Sequence, residues 1–173
     1  QRDEENEEVD GGLPQLPGGF VQTLKLDGDP SSWAATPVMF NDEDGKPLPI
    51  VEKAGLDTPE DLEPEYVSFN SGTKVAVTLQ ENNGIAILDA ATGEIESVFS
   101  AGDATVKSVD ATKDGLIKAK DSISGPREPD AIGWIDDSHI ATANEGDWKG
   151  GTRGWTVFDT EGNTVWDLSL IHI

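Results

Sequence analysis

The sequence of 173 residues contains no cysteine. A disulfide framework, a thiol nucleophile and a thiolate metal site are therefore excluded. The chain also lacks any apolar run near the ~20 residues that a membrane-spanning helix needs. No direct membrane span is therefore expected in this sequence.

Basic residues are scarce as well. Lysine and arginine total 12 against 34 aspartates and glutamates, for a formal net charge of −22. Nucleic acids and anionic membranes bind basic surfaces, so neither is expected as a partner. The acidic balance suits a soluble protein in salty or calcium-containing surroundings, and no organic cofactor is indicated.

One stretch of the sequence occurs twice, and such a repeat decides the fold prediction before other features do. The stretch 63–89 recurs later in the chain, and residues 128–147 align with its first part at a constant offset of 65 residues. Six residues around 149–153 interrupt the match, which resumes with 84–89 over 154–159. The sequence therefore predicts two copies of one structural unit.

Within each copy, apolar residues alternate in short runs bounded by Gly, Asn, Asp and Ser, which indicates antiparallel strands. The predicted strands are 66–69, 74–79, 84–89 and 95–99 in the first copy, and 131–135, 139–143, 155–159 and 164–167 in the second. Four short strands per repeat are typical of a β-propeller blade. We predict an all-β fold, a β-propeller of four-stranded blades, with an ordinary β-sandwich as the alternative.

The chain is too short for a closed propeller, which needs roughly 4–8 blades. We expect a piece of a longer protein, with about two to three blades in residues 20–167. Clear blades are predicted near 63–100 and 128–167, with a long loop over 101–127 between them. Residues 1–19, acidic and then rich in Pro and Gly, are predicted to be a disordered linker.

Both ends of the sequence support the expectation of a piece. The chain begins with Gln1 rather than Met, and its last six residues, 168–173, read LSLIHI. These six are the translation of CTG TCT CTT ATA CAC ATC, which resembles the transposon end used to build sequencing libraries. We interpret them as an adapter scar, with a native apolar strand as the alternative.

Ahead of the first copy, residues 20–26 alternate as one strand and residues 33–40 as another. Residues 41–61 are polar and rich in Pro and Asp, which predicts a long loop. The tryptophans in the second copy lie at alternating strand positions and are expected to pack between blades rather than to form a sugar platform. They are Trp134, Trp155 and Trp166.

The loop predicted over 101–127 contains a degraded match to an EF-hand calcium loop. The carboxylates at its first, fifth and twelfth positions are Asp110, Asp114 and Asp121. Thr112 stands at the third position in place of a carboxylate, and Lys118 nearby reduces the affinity for a cation. A surface Asp-Gly turn without metal is the alternative.

Strand order places the unusual polar residues on one face of the predicted propeller. We letter the four strands of a blade A to D in chain order. Because the strands are antiparallel, the B-to-C and D-to-A connections meet at one face, which we call the acidic rim. The A-to-B and C-to-D turns meet at the other face. The candidate metal ligands on the rim are Glu65, Asp130, Asn144, Glu145 and Asp147. The candidate ligand-binding residues are Glu63, Gln80, Glu81, Asn82, Asn83, Arg127, Glu128, Lys149 and Arg153.

Several chemistries are open to these residues. Carboxylate and amide oxygens are hard ligands that suit Ca²⁺ or Mg²⁺, and crowded carboxylates can supply an acid–base pair. Arg127, Lys149 and Arg153 can meet a phosphate. Glu63 and Glu128 can instead hold neighbouring blades together by accepting hydrogen bonds from backbone N–H groups.

The segments EPEYVSF, VTLQENNGIAILDAATG, VDATKDG, PDAIGWI and ATANEGDW resemble, in this order, the choice-of-anchor I family. The likeness covers residues 20–167. It implies a secreted or surface-tethered bacterial β-propeller with YVTN or WD40-like blades, related to proteins called mesenchyme-specific cell surface glycoprotein. It also implies an anchor beyond Asp167, and some relatives are described as alkaline phosphatase or phytase-like esterases. Thr112 departs from the Asp-x-Asp-rich loop of the family, which weakens the calcium prediction there.

Three hypotheses for function follow. The leading one is a surface-exposed propeller that binds an extracellular ligand or surface partner on its acidic rim, with calcium. The competing one is a metal-dependent phosphoesterase that uses Glu65, Asp130, Glu145 and Asp147 as ligands and Arg127 or Arg153 as a phosphate clamp. In the third, the rim is purely structural.

Overall fold

The computed structural model describes residues 14–112, 114–146 and 151–170. Within these ranges the chain is built from antiparallel strands with almost no helix, which confirms the all-β prediction. The strands are β1 (Phe20–Leu24), β2 (Ala35–Met39), β3 (Pro64–Phe69), β4 (Lys74–Leu79), β5 (Gly84–Asp89), β6 (Ile95–Ser100), β7 (Asp103–Val109), β8 (Asp121–Pro126), β9 (Pro129–Asp136), β10 (His139–Asn144), β11 (Arg153–Asp159) and β12 (Thr164–Leu170). A 3₁₀ turn (Pro30–Ser32) and a one-turn helix α1 (Pro49–Glu52) are the helical segments of this part of the chain.

Two of the sheets have four strands, and their bounds follow the predicted repeat closely. The first sheet runs β3-β4-β5-β6 and the second runs β9-β10-β11-β12. Val75 pairs with Leu88 in the first sheet, and the residues aligned with them, Ile140 and Phe158, pair in the second. The internal repeat read from the sequence is therefore a structural repeat in matching register. Within the described residues the sheets do not close into a ring.

The two sheets pack face to face, and each buries a layer of alternate side chains because successive residues of a strand point to opposite faces. We call the face turned toward the start of the chain the N-side face and the opposite one the C-side face. On the first sheet, the N-side face packs against β2 and α1 in a cluster that includes Val38, Phe40, Val51, Val77 and Leu88. The C-side face packs against the N-side face of the second sheet in a cluster that includes Ile85, Ile87, Phe99, Ile140 and Phe158.

Hydrogen bonds reinforce the contact between the two sheets. The indole N–H of Trp134 on β9 donates to the carbonyl oxygen of Ser68 on β3 at 2.9 Å. The hydroxyl of Thr78 on β4 donates to the carbonyl oxygen of Asp130 at 3.1 Å. Trp134 therefore packs between sheets, as predicted, whereas Trp155 and Trp166 lie on the exposed far side of the second sheet.

The end of the sheets opposite the acidic rim, which we call the turn end, is closed by carboxylates that accept hydrogen bonds from their own turns and, for Asp89, also from the adjacent β3–β4 turn. Asp89 accepts hydrogen bonds from the hydroxyl of Thr73 at 2.6 Å and from the backbone N–H of Thr92 at 2.9 Å. Asp159 accepts from the side chain and the backbone of Asn163 in the matching turn. The Thr73 hydroxyl lowers the pKa of Asp89, and the Asn163 amide lowers the pKa of Asp159.

The connection over 101–127, which we expected to be a loop, contains the β7–β8 hairpin. Its two strands alternate weakly and carry many polar residues, and β8 includes Gly125 and Pro126, which argued against a strand. The buried Ala104 and Val109 nevertheless give β7 a side that packs inward. The short helix α1 likewise lies inside the loop predicted over 41–61.

The two terminal segments extend partly beyond the described residues. Residues 1–13 of the predicted linker lie outside them, while residues 14–19 run along the segment that precedes β3. The N–H of Gly19 donates to the carbonyl oxygen of Leu62 at 2.9 Å. At the other end, β12 continues to Leu170, so it includes three of the six residues interpreted as an adapter scar, and residues 171–173 lie outside the described ranges.

Candidate functional site

The structure brings most of the described rim residues together where the two sheets begin. Gln80, in the turn between β4 and β5, donates its side-chain N–H to the carboxylate of Glu145 at 3.0 Å. These two residues are aligned in the internal repeat, so equivalent turns of neighbouring sheets contact each other. Predicted rim residues at 147–150, among them Asp147 and Lys149, lie outside the described part of the chain.

Asn82 fixes the start of the first sheet. Its side chain is fully buried and accepts a hydrogen bond from the backbone N–H of Glu63 at 2.9 Å. Its amide nitrogen donates to the carbonyl oxygens of Asp57 and Asp61, both at 2.9 Å. Asn82 thus closes the segment before β3 onto the β4–β5 turn, which gives it a structural role.

Asn83 does the same for the start of the second sheet. Its side-chain oxygen accepts from the backbone N–H of Glu128 at 2.9 Å, and its amide nitrogen donates to the carbonyl oxygen of Gly102 at 3.2 Å. Both Asn83 and Glu128 have positive φ, at 51° and 48°, a backbone conformation that asparagine tolerates well. The two neighbouring asparagines therefore support one sheet each, through the backbones of the glutamates predicted as ligand-binding residues.

A chain of mostly buried polar side chains runs along the N-side face of the second sheet, where that sheet meets the first. The Thr142 hydroxyl donates to the Asn144 oxygen at 2.7 Å, and the Asn144 amide donates to the Thr156 hydroxyl at 2.7 Å. Thr156 then donates to Asp167 at 2.6 Å, and Arg127 donates to the same carboxylate oxygen at 3.2 Å. Both amide atoms of Asn144, a predicted metal ligand, are thus engaged inside the protein.

The corresponding positions of the first sheet are apolar. By strand register, the positions of Thr142, Asn144, Thr156 and Asp167 match Val77, Leu79, Ala86 and Val98. A polar group buried without a partner is costly, so such a replacement requires the complete chain of hydrogen bonds that the second sheet shows. Arg127 completes it, since its guanidinium also donates to the carbonyl oxygen of Ala101 at 2.6 Å.

Arg153, the other predicted phosphate clamp, is bound to the rim itself. Its side chain donates to the carbonyl oxygen of Glu145 at 3.1 Å and lies 3.6 Å from the Glu145 carboxylate. The N–H of Glu145 donates to the carbonyl oxygen of Glu128 at 2.9 Å. Arg153 and Glu145 thus hold the rim of the second sheet in shape, while both side chains stay about half exposed.

The EF-hand-like loop between β7 and β8 is held by its own donors. Asp110 accepts from the N–H groups of Thr112 and Lys118, and Asp121 accepts from the Thr112 hydroxyl at 3.3 Å. Asp114 pairs with the Lys118 ammonium at 2.7 Å, and this hydrogen bond lowers the pKa of Asp114. Among the described residues, no three histidine, aspartate, glutamate or cysteine side chains are grouped so as to hold one metal ion.

The remaining predicted ligands lie along the starts of the inner strands. Glu65 on β3 and Asp130 on β9 are exposed, and Glu81 is half-buried in the β4–β5 turn. Glu65 and Asp130 are aligned in the repeat, and β3 and β9 contact each other. The structure therefore places these two carboxylates on neighbouring strands at the rim.

A polar cleft of about 330 Å³ opens on the rim beside the β4–β5 turn. The residues that line it are Gly55, Asp57, Asn82, Asn83, Ser100, Gly102, Asp103 and Pro126. Sequence reasoning named Asn82 and Asn83 but missed the two aspartates. Asp57 lies in the segment interpreted as a loop. Asp103 directly follows Gly102, and this glycine, which has a φ of 67° in the structure, was the available sequence signal for a turn onto the rim.

The fold and this rim define a class of protein: an all-β repeat protein whose four-stranded antiparallel sheets pack face to face, with the polar connections gathered at one end. The chain belongs to the choice-of-anchor I family, because the choice-of-anchor I domain matches residues 38–168, about three quarters of its length. The match covers both four-stranded sheets and the rim. The family is one of cell-surface-associated domains, which places this protein at the cell surface or outside the cell.

No curated protein matches the chain significantly. None of the helices in the described ranges is long and apolar enough to cross a membrane.

Proposed function

We propose that the chain is part of a cell-surface β-propeller that binds calcium and an extracellular ligand at its acidic rim. The two four-stranded sheets act as consecutive blades in this proposal. Support comes from the contact between the inner strands β3 and β9 and from the packing of each N-side face on the preceding layer.

The main support for the proposal is that the carboxylates at the two ends of the sheets have different surroundings. At the turn end, Asp89 and Asp159 accept hydrogen bonds from their own turns. At the rim, a cleft lies beside Asp103, and Glu65 and Asp130 are exposed on adjacent strands. A concave polar surface with carboxylates is suited to a cation or to a ligand rich in hydrogen-bond donors.

The proposed calcium ligands come from the segment that follows β10. Glu145 has a half-exposed carboxylate whose oxygens retain lone pairs beyond the hydrogen bond from Gln80. Asp147 follows it two residues later, and backbone carbonyl oxygens supply further hard ligands. The high negative charge of the chain, −22, strengthens the attraction of this face for a divalent cation.

Calorimetric titration with CaCl₂ at physiological salt tests the proposal. We expect saturable binding that weakens at least about tenfold in Glu145→Gln and in Asp147→Asn, because each removes a charged oxygen ligand. The matched control is Glu161→Gln, which removes the same charge at the turn end. Equal affinity in rim and control variants, or the absence of binding, would overturn the calcium-binding rim.

The same samples distinguish the other hypotheses. Turnover of a phosphomonoester that stops on chelation and is lost in Asp147→Asn would replace the binding proposal with a phosphoesterase. Arg127 and Arg153 would then have to leave the carboxylates they contact in this structure. A lower melting temperature in Glu145→Gln, without any calcium response in the wild type, would indicate a purely structural rim.

A further inference from the structure

The polar cleft on the rim, about 330 Å³ in volume, is built from the middle of the sequence. The β4–β5 turn contributes Asn82 and Asn83, and the other two segments are hydrogen-bonded to them. The backbone N–H of Asp57 donates to the carbonyl oxygen of Asn82 at 3.2 Å, and the side-chain amide of Asn83 donates to the carbonyl oxygen of Gly102 at 3.2 Å. The cleft lies at the ends of the strands, whereas the sheets stack through their faces. Its walls are therefore complete within residues 55–126.

The side chains that line the cleft offer hydrogen-bond acceptors to a ligand rather than donors. The side-chain donors among them, on Asn82, Asn83 and Ser100, each donate to a carbonyl oxygen of the protein itself. Among the described residues at the cleft, none is lysine, arginine or histidine, and the charged side chains are the carboxylates of Asp57 and Asp103. Each carboxylate has about four lone-pair sites. A ligand that suits this lining carries hydrogen-bond donors and a positive charge.

The backbone oxygens at the cleft are already engaged, which favours an organic cation over a metal ion. The carbonyl oxygens of Asn83, Gly102 and Pro126 each accept a backbone N–H, at 2.8, 3.2 and 3.2 Å. Ca²⁺ takes about 6–8 oxygen ligands, more than two carboxylates supply. An ammonium group has about three N–H donors and a guanidinium group about five, and two carboxylates can share either set.

A buried hydroxyl beside the cleft has no partner within the described part of the chain. Thr152 is 3% exposed, and its Oγ1 forms no hydrogen bond there. Its backbone N–H donates to the carbonyl oxygen of Pro126, which places Thr152 next to a residue that lines the cleft. Buried polar atoms without a partner are rare, and a bound group or a water is a common explanation. Thr152 therefore adds one more acceptor at this side of the cleft.

Arg127 approaches the cleft, but its charge is paired inside the protein. A Cβ atom added at Gly102 would lie 3.4 Å from its guanidinium. The guanidinium donates to a backbone carbonyl oxygen at 2.6 Å and pairs with the Asp167 carboxylate at 3.2 Å. An anionic ligand would therefore have to replace Asp167, whereas a cationic ligand meets the carboxylates of the cleft itself.

We infer that the cleft binds an organic cation, an ammonium or guanidinium group such as a lysine or arginine side chain or a polyamine carries. This inference rests on the proposed ligand-binding role of the rim and names the chemical class of the ligand. Asp57 and Asp103 accept its hydrogen bonds, and a cleft of this volume falls within the range of small-molecule sites, about 300–1,000 Å³. The net charge of −22 raises the local concentration of such a cation.

Calorimetric titration of the full chain at physiological salt tests the inference. The probes are spermidine and the capped tripeptides Gly-Lys-Gly and Gly-Arg-Gly, with Gly-norleucine-Gly as the uncharged control. We expect saturable binding of a cationic probe and at least about tenfold weaker binding in Asp57→Asn and in Asp103→Asn, because each removes a charge-assisted hydrogen bond. Binding of a peptide alone would identify a basic protein side chain as the ligand, and binding of spermidine alone would identify a polyamine.

Asp27→Asn is the matched control variant. It removes the same charge in the β1–β2 turn, where the side chain is 79% exposed, and the affinity should be unchanged. The hydrogen bonds between Asp57 and Asn82 use backbone atoms of Asp57, so Asp57→Asn retains them. Far-UV circular dichroism checks that each variant is folded.

Three results would overturn the inference: no saturable binding of any cationic probe, equal affinity in Asp57→Asn, Asp103→Asn and the control variant, or competitive displacement of the probe by CaCl₂. The last result would make the cleft a metal site. The proposed calcium site fails separately. Absence of calcium binding, with probe binding still weakened by the two cleft variants, would overturn the calcium proposal alone, and intact calcium binding without probe binding would overturn this inference alone.

Discussion

Gly162 provides the sharpest test of how the two sheets pack. It lies in the turn between β11 and β12 with a φ of 88°, and a Cβ atom there would sit 2.5 Å from Cγ and 2.7 Å from Cδ2 of Phe99. Phe99 is 8% exposed and packs against Phe158 with ring centroids 5.8 Å apart, so it has little room to move. Gly162→Ala should therefore destabilise both the turn and the interface.

The magnitude of this effect has two parts. Alanine at positive φ costs about 1–2 kcal/mol, and overpacking against a buried ring adds about 1–3 kcal/mol. Gly45→Ala carries the first part alone, because Gly45 has a φ of 79° and nothing within 4 Å of the added Cβ. Gly93, the positive-φ glycine of the corresponding β5–β6 turn, should fall between them, since its added Cβ would lie 3.4 Å from Val38.

Urea unfolding followed by tryptophan fluorescence gives the free energy of unfolding of each variant. We expect a loss of about 2–5 kcal/mol for Gly162→Ala and about 1–2 kcal/mol for Gly45→Ala. The double variant Gly162→Ala with Phe99→Ala should lose less than the sum of its single variants, because the clash disappears with the ring. If Gly162→Ala costs no more than Gly45→Ala, Phe99 does not pack tightly against the β11–β12 turn and the proposed contact between the sheets is wrong.

Two further predictions concern charged groups. Asp167→Ala should lower the free energy of urea unfolding by about 2–4 kcal/mol, because it leaves the largely buried Arg127 guanidinium without its carboxylate. Asp167→Asn keeps a hydrogen-bond acceptor and should cost clearly less. Equal losses in the two variants would contradict a role for this ion pair. The pKa values of Asp89 and Asp159 are lowered in the folded state, so their contribution to stability is full above the unfolded pKa and is lost as pH falls below it. The melting temperature should therefore decrease as the pH is lowered past about 4. The decrease should be less steep in the Asp89→Asn/Asp159→Asn double variant. Parallel pH profiles of the wild type and the double variant would refute this.

The strands were predictable because their determinants are local. β4 and β5 have the predicted bounds, since an alternating run of β-branched residues lies between two turns rich in Gly, Asn and Asp. The β7–β8 hairpin was missed for the same reason. Its strands are polar and include Gly125 and Pro126, so their local pattern resembles a loop.

Within the rim, the sequence identified the face but not the role of each residue. The alignment of Gln80 with Glu145 predicted equivalent positions in neighbouring sheets, and the two side chains do contact each other. Asn82 and Asn83, however, form hydrogen bonds with backbone groups up to 45 residues away. Their saturation inside the protein depends on where those distant groups lie, which local pattern does not encode.

The sequence by itself determined the repeat, the all-β fold, most of the strand bounds and the sign of the charge, because each can be read from composition or by comparing short stretches of the chain. Only the tertiary structure decided that Arg127 joins Asp167 across 40 residues, that Asp57 and Asp103 line one cleft, and that Trp155 and Trp166 remain exposed. These features depend on which faces of the sheets meet. Stacking of the sheets sets that arrangement through contacts between residues far apart in the sequence.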